Sequence, residues 1–368
     1  DLIDTSVENL SAIKNLRNAP GGAFGSCRFK LKSLSENKKE YERLVKVFKA
    51  HNIGYFFYNG GNDSADTAYK VSQISNQMGY PINCIAIPKT VDNDLAVTDS
   101  CPGFGSAAKY IATSIQEASL DVASMSETST KVFILEVMGR HAGWMAASSC
   151  LARIDNDDPP HLILFPEIIF DEKKFLESVK KIVKQRGFCV IVASEGVKDK
   201  KMKFLAQSNT KDAFGHSQLG GVAPFLSNLI SEKLKLKNHW AVSDYLQRSA
   251  RHISSKTDLN HAEAVGKKAV QYAVRGMNGI MPVIKRGEGK KYSWKIEPAH
   301  LSIIANVEKK LPRSYISKNG FNVTNKAIEY LKPLIVGEAF PNFKNGIPII
   351  KKLKLKLVDK KLSKWDGY

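Results

Sequence analysis

The densest chemistry in the chain lies in Lys89-Thr90-Val91-Asp92-Asn93-Asp94, which sets a cation, a hydroxyl and two carboxylates side by side. Phosphoryl transfer calls for such a set: a base for the attacking hydroxyl, positive charge on the migrating group and, as a rule, Mg2+. Asp92 can accept the hydroxyl proton. Asp94 can hold the metal directly or through water, and Lys89 can neutralise the phosphoryl oxygens. The competing reading is an Asx-turn with solvated carboxylates.

Three further clusters could complete a site. In Asn59-Gly60-Gly61-Asn62-Asp63-Ser64 the glycine pair lets a backbone approach a phosphate without an intervening Cβ. Asp63 and Ser64 can cap a following helix, whose amino end attracts anions. Taken alone, a Gly-Gly turn is as readily structural, and no Walker lysine motif follows it, which excludes a P-loop kinase. Met138-Gly139-Arg140-His141-Ala142-Gly143-Trp144 and Tyr245-Leu246-Gln247-Arg248 each bring a guanidinium suited to phosphate or sugar oxygens. Glu195, within Ser194-Glu195-Gly196, can accept hydrogen bonds from sugar hydroxyls. As lone residues, Arg140, Glu195 and Arg248 would more often be surface ion-pair partners. Trp144 reads as packing and His141 as structural.

These clusters must be held by regular elements. Apolar runs rich in Ile, Val, Phe or Tyr at 55–58, 82–87, 132–137, 162–165 and 189–193 predict buried parallel strands. Helical patterns at 35–50, 64–78, 106–125 and 171–185 alternate with them, which predicts an α/β layer fold. The polar clusters follow four of these strands. Ligands of open α/β sheets bind at the carboxyl ends of strands, so the four ends suggest one composite site. Ordinary turns also favour Gly, Asn and Asp, but four such ends at equivalent positions argue against that. The tail at 352–357 alternates Lys and Leu and predicts an edge or surface strand with one wet face, with membrane binding a minor alternative.

Composition narrows the class. The 368 residues are 43% hydrophobic and 25% charged, which excludes a disordered, collagen-like or disulfide-stapled chain. No apolar run is long enough to span a bilayer, and the opening Asp1-Leu2-Ile3-Asp4 lacks the pattern of a secretory signal. The five cysteines include no Cys-x-x-Cys pair, which points to a reducing cytoplasm. The formal charge of +19 is spread over several lysine runs without aromatic interleaving. Of its two readings, nucleic-acid binding and a solvated basic surface that attracts small phosphorylated anions, the second is favoured, so no nucleic-acid or membrane partner is expected.

The motifs closely resemble the 6-phosphofructokinase family over essentially the whole chain. Gly60 to Ser64, Pro88 to Asp94, Met138 to Trp144, Ser194 to Gly196 and the stretch Pro20 to Arg28 stand in family order and spacing. The resemblance implies two α/β lobes with the active site in the cleft between them. A phosphate-donor lobe would comprise 1–107 and about 247–300, and a sugar-phosphate lobe 108–246 and about 301–345, followed by a lysine-rich tail at 346–368. Asp63 and Lys89 stand where ATP-using members typically carry glycine, so the chain resembles the diphosphate-dependent branch. A carboxylate at 63 would repel a nucleotide α-phosphate, and an ammonium at 89 would stabilise a bare diphosphate.

Carried over residue by residue, the resemblance implies that Asp92 takes the proton of the sugar C1 hydroxyl, with Lys89 and Asp63 beside it in the catalytic set. Arg28, Gly61 and Lys89 would grip the diphosphate. Thr90, Met138, Gly139, Arg140, Glu195, Tyr245, Gln247 and Arg248 would bind fructose 6-phosphate, and Lys131 would reach the substrate of a neighbouring subunit in a homodimer or larger homo-oligomer. Asn62 and Asp94 would serve Mg2+, Asn62 standing where many members have an aspartate. The family's opening strand and first Gly-Gly turn would precede Asp1; their absence here would expose a sheet edge and remove donor contacts. The expected reaction is reversible transfer of phosphoryl from diphosphate to fructose 6-phosphate. The rivals are ATP as donor, sedoheptulose 7-phosphate as acceptor, or a non-catalytic regulatory subunit.

Overall fold

The computed structural model describes residues 1–27, 29–155, 157–211 and 217–365, with backbone only at 207–211, 217 and 218. Arg28 lies outside the described residues. The strands are β1 Tyr55–Gly60, β2 Asn83–Pro88, β3 Val132–Val137, β4 Leu162–Leu164, β5 Cys189–Ser194, β6 Gln207–Lys211, β7 Ser217–Leu219, β8 Asn238–Val242, β9 Ile280–Arg286, β10 Trp294–His300, β11 Phe343–Lys344 and β12 Ile347–Pro348. The helices are α1 Leu10–Asn15, α2 Lys38–Ala50, α3 Asn62–Gln77, α4 Phe104–Met125, α5 Trp144–Ser148, α6 Glu172–Arg186, α7 Val222–Leu234, α8 Leu246–Ser249, α9 Lys256–Val274 and α10 Asn325–Leu331.

Two sheets carry the architecture, in the orders β1-β2-β9-β10 and β4-β5-β3-β8. All pairs are parallel except β9 with β10, as expected where helices supply the crossovers. In the second sheet, alternate residues of β3 and β5 face opposite layers. Leu135, Val137, Val190 and Val192 pack on Phe104, Ala107, Ile111 and Ile115 of α4. Val132, Ile134, Ile191 and Ala193 pack on Phe175 and Val179 of α6 and on Val222, Leu226 and Ile230 of α7. Such side chains contribute about 1.5–3 kcal/mol each on burial. That reserve lets the strand ends hold charges poorly placed for stability.

Most predicted elements appear within two or three residues of their expected bounds, and the differences are local. Residues 33–36 form a turn, with Ser33 N donating to Glu36 Oε2 at 2.9 Å, and Asn37 caps α2, so that helix begins after 35. The tail at 352–357 is not a strand: Leu355 has φ +52, which breaks an extended run, and Leu357 makes only an isolated bridge to Ile3. Among the described residues no helix is long and apolar enough to cross a membrane.

Candidate active site at the ends of β1, β2, β3 and β5

Register aligns the four polar clusters in pairs. Gly60 lies opposite Pro88 in the β1–β2 pair, so Gly61 and Lys89 leave the sheet side by side, and Lys89 N donates to Gly60 O at 3.1 Å. Val137 lies opposite Ser194 in the β3–β5 pair, and Glu195 N donates to Val137 O at 2.9 Å. Gly139 N donates to Glu195 Oε1 at 3.3 Å, and Met138 N donates to Gln247 Oε1 at 3.3 Å. Gln247 arrives because β8 continues the same sheet, with Ser243 N donating to Glu136 O at 3.0 Å before α8. Met138, Gly139, Glu195 and Gln247 thus form one hydrogen-bonded cluster. Arg248 folds its guanidinium over the Tyr245 ring at 3.9 Å.

The glycine pair works differently from the sequence expectation. A Cβ on Gly60 would collide with the Ser64 side chain, whereas one on Gly61 would make ordinary contacts with Thr90 Cβ at 3.8 Å and Lys89 O at 4.0 Å. Gly60 is therefore needed for the internal turn. Helix α3 begins at Asn62 with Gly61 in the capping position, so Asp63 stands in its first turn rather than capping it. Its carboxylate pairs with Lys30 Nζ at 3.3 Å. Oriented to satisfy its neighbours, the Asn62 amide donates its nitrogen to Ile304 O and Val307 O at 3.2 and 3.3 Å.

Thr90 Oγ1 donates to Asp92 Oδ2 at 3.3 Å and accepts from Asp92 N at 3.1 Å. This turn fixes the Asp92 carboxylate beside the Thr90 hydroxyl. Burial raises its pKa, opposed by the Thr90 hydroxyl and by the charges of Lys89, Arg140 and Arg248. Burial also pushes Asp94 up to about 7, helped by Asp92 and Glu308. Glu195 is likewise pushed up to about 7 by burial, with Asp92 adding repulsion while the Gly139 N–H and Arg140 oppose the rise. Asp92 therefore interacts with charges from both sheets. A cavity of about 230 Å³ opens beside Lys89 and Arg248, walled in part by Gly21, Gly103, Ser106 and Asp258.

Asp94 could take part in holding a magnesium ion. Among the described residues no group of three or more His, Cys, Asp or Glu could hold a metal ion. Mg2+ does not need one, because it keeps waters and shares substrate phosphates with one or two carboxylates. Asp94, desolvated and repelled by Asp92, is a carboxylate that a cation would relieve.

Lys131 is not brought to this cluster within the chain. It precedes β3, at the opposite end from Met138, and its Nζ donates to Glu127 O at 3.0 Å and to Ser126 O after α4. Sequence reasoning missed several residues that support the site. Gly103 bridges Thr90, and Asp258 accepts from Gly103 N at 2.9 Å. His141 pairs through Nδ1 with Glu308 Oε1 at 2.7 Å. The Ser255-x-x-Asp258 spacing is a helix-start signal that marks α9. Nothing in the sequence connects that start to α4.

The matches to known proteins follow the same lines. The family model described as Phosphofructokinase matches residues 2–273. A pyrophosphate–fructose 6-phosphate 1-phosphotransferase of Halomonas elongata is 58% identical over 98% of this chain and 86% of its own. A protein of the same name from Xanthomonas campestris is 56% identical over 100% of this chain and 88% of its own. The crystal structure of a pyrophosphate-dependent phosphofructokinase from Marinobacter aquaeolei superposes with a TM-score of 0.89 at 57% identity, covering 99% of this chain and 86% of that one. With two parallel-rich sheets meeting at a cluster of Asp, Lys, Arg and Glu, and with these matches along its length, the chain belongs to the phosphofructokinase family.

Proposed function

We propose that the chain catalyses reversible transfer of phosphoryl from inorganic diphosphate to the C1 hydroxyl of fructose 6-phosphate, giving fructose 1,6-bisphosphate and phosphate. The observation that carries this reading is Asp92, held by the Thr90 hydroxyl just past the end of β2 and near enough to Lys89, Arg140 and Arg248 for their charges to oppose the effect of its burial. The sugar would lie against Met138, Gly139, Arg140, Glu195 and Arg248, with Thr90 and Gln247 behind it. Its C1 oxygen attacks the nearer phosphorus, the P–O bond to the second phosphate breaks, and Asp92 takes the hydroxyl proton. Lys89 and Arg28 balance the charge on the phosphates. Asp94 and Asn62 would hold Mg2+, which when bound would supply positive charge against the phosphate oxygens.

Diphosphate as donor rests on Asp63 and Lys89. The Lys30 ion pair tethers the Asp63 carboxylate at the start of α3, where it would oppose a nucleotide α-phosphate. The names of the relatives from Halomonas elongata and Xanthomonas campestris support the same donor and acceptor. A donor and acceptor panel tests the reading. Turnover with diphosphate and fructose 6-phosphate is expected, and turnover with ATP but not diphosphate overturns the donor assignment.

The reading includes a homo-oligomer in a reducing cytoplasm. The outer strand β8 leaves Trp240 47% and Val242 39% exposed, beside the strand that Lys131 precedes, and none of the five cysteines is in a disulfide. Light scattering on the purified protein tests the assembly; a monomer at working concentration would remove that part.

A further inference from the structure

Lys309 lies outside every motif described so far, yet its main chain and side chain both reach the catalytic loop. Its backbone N donates to Asp94 O at 2.6 Å, and the preceding Glu308 bridges Leu95. Its ammonium donates to Thr98 O at 2.9 Å and Asp99 O at 2.8 Å, and lies 3.5 Å from Asn93 Oδ1. These acceptors are neutral oxygens, so the lysine serves as a three-way donor. Burial holds its pKa below the ordinary lysine value.

Asn93 separates the two candidate functional aspartates, is fully buried and has φ +53. That left-handed conformation disfavours most side chains but is tolerated by asparagine. The side chain locks it: Oδ1 accepts from Cys101 N at 2.9 Å, and Nδ2 donates to the Tyr330 hydroxyl at 2.9 Å. Tyr330 in turn donates to Asp99 O. Asp99 is fixed by Arg286, whose Nε lies 3.0 and 3.2 Å from its carboxylate oxygens. Lys309 and Tyr330 thus hold the same two points, Asn93 and Asp99, from two sides.

Lys309 also joins the catalytic loop to the sugar side. Its carbonyl accepts from Trp144 Nε1 at 2.8 Å, and its ammonium lies 5.3 Å from the centre of that indole. Trp144 begins α5, directly after the Met138 to Gly143 turn. One residue therefore spans the end of β2 and the end of β3.

We propose that Lys309 is a positioning residue for phosphoryl transfer, acting through Asn93 and the Asp94 backbone to set Asp92 against the sugar-holding turn. Small misplacements of a general base are costly in rate, because proton transfer needs a short, aligned contact. The loss should appear in turnover and spare binding, since Lys309 touches neither substrate site directly. This inference rests on the reading of Asp92 as proton acceptor.

The test compares Lys309→Met, Tyr330→Phe and Asn93→Ala with the parent enzyme, in kinetics with diphosphate and fructose 6-phosphate and in thermal melting. Lys309→Met is expected to lower kcat about 30-fold or more, with both KM values within about threefold of the parent. Tyr330→Phe, which removes one hydroxyl and is the variant to rely on if Lys309→Met does not fold, should lower kcat about fivefold with the same KM pattern. The double variant Lys309→Met with Asn93→Ala should be no slower than the worse single one, because both act on one contact. A folded Lys309→Met or Tyr330→Phe enzyme with parental kcat, or fully multiplicative losses in the double variant, overturns the proposal. Asp92→Ser measured alongside separates the two readings. If it retains parental turnover, the base assignment is wrong; if it is inactive while the Lys309 and Tyr330 variants are normal, only the positioning role is wrong.

Discussion

Asp258, at the start of α9, caps α4 from outside: its Oδ2 accepts from Ser106 Oγ at 2.6 Å and from Ser106 N at 3.1 Å. Its other oxygen accepts from Gly103 N, next to the bridge that Gly103 makes with Thr90. A buried carboxylate on helix N–H groups satisfies donors that would otherwise be orphaned. Asp258→Ala should therefore destabilise the protein by about 2–3 kcal/mol, a lost cap plus unsatisfied buried donors. A melting temperature unchanged from the parent would show that the cap contributes nothing.

Asp92→Ser removes the proposed proton acceptor and keeps a small polar side chain. Turnover should fall by roughly 10²–10⁴, the usual scale for a positioned base, while the fructose 6-phosphate KM changes little. Steady-state kinetics checks this, and an equal loss in binding measured by calorimetry would point to a folding role for Asp92.

Lys89→Gly should damage use of diphosphate by about 10²–10³ in kcat/KM, as expected for one preorganised charge on the transferred group. Fold stability should stay near the parent, since Lys89 is exposed. Unchanged diphosphate kinetics in the purified variant would contradict the role.

Glu195 predicts opposite pH trends for binding and stability. Its pKa is pushed up to about 7, so below neutrality it gains a proton and ceases to be a pure acceptor for sugar hydroxyls. KM for fructose 6-phosphate should rise as pH falls from 8 to 6, and Glu195→Gln should have a high KM with a flatter profile. Stability runs the other way. The native state binds this proton more tightly than the unfolded chain, so stability is lost as pH rises from the unfolded value near 4 through 7. Glu195→Gln should recover roughly 1–3 kcal/mol at pH 8, which denaturant titration of the parent and the variant would measure. A parental pH profile in the variant would assign the acid limb to another group.

Gly196 sits where a Cβ would collide with the Arg140 carbonyl oxygen and lie 2.5 Å from that of Gly139. Gly196→Ala should push the Met138 to Arg140 turn away from β5. The fructose 6-phosphate KM should rise about tenfold or more, with a smaller change in the diphosphate KM. Equal effects on both substrates would indicate a general loss of structure.

The sequence by itself determined the layers and the list of reactive groups. Five runs of branched and aromatic residues became strands because buried parallel strands need continuous apolar faces, and the clusters after four of them fell at their carboxyl ends. The later strands were illegible for a local reason. In β9 and β10 Pro282 and Pro298 interrupt the pattern, and the fold seats them opposite each other in the antiparallel pair. Only the tertiary structure decided which groups meet. Asp258 and Ser106, Lys309 and Asn93, and His141 and Glu308 are brought together by sheet register and helix packing, which no local spacing encodes. The desolvation that raises Asp92, Asp94 and Glu195 arises the same way: a carboxylate acquires its acidity from what the fold packs around it.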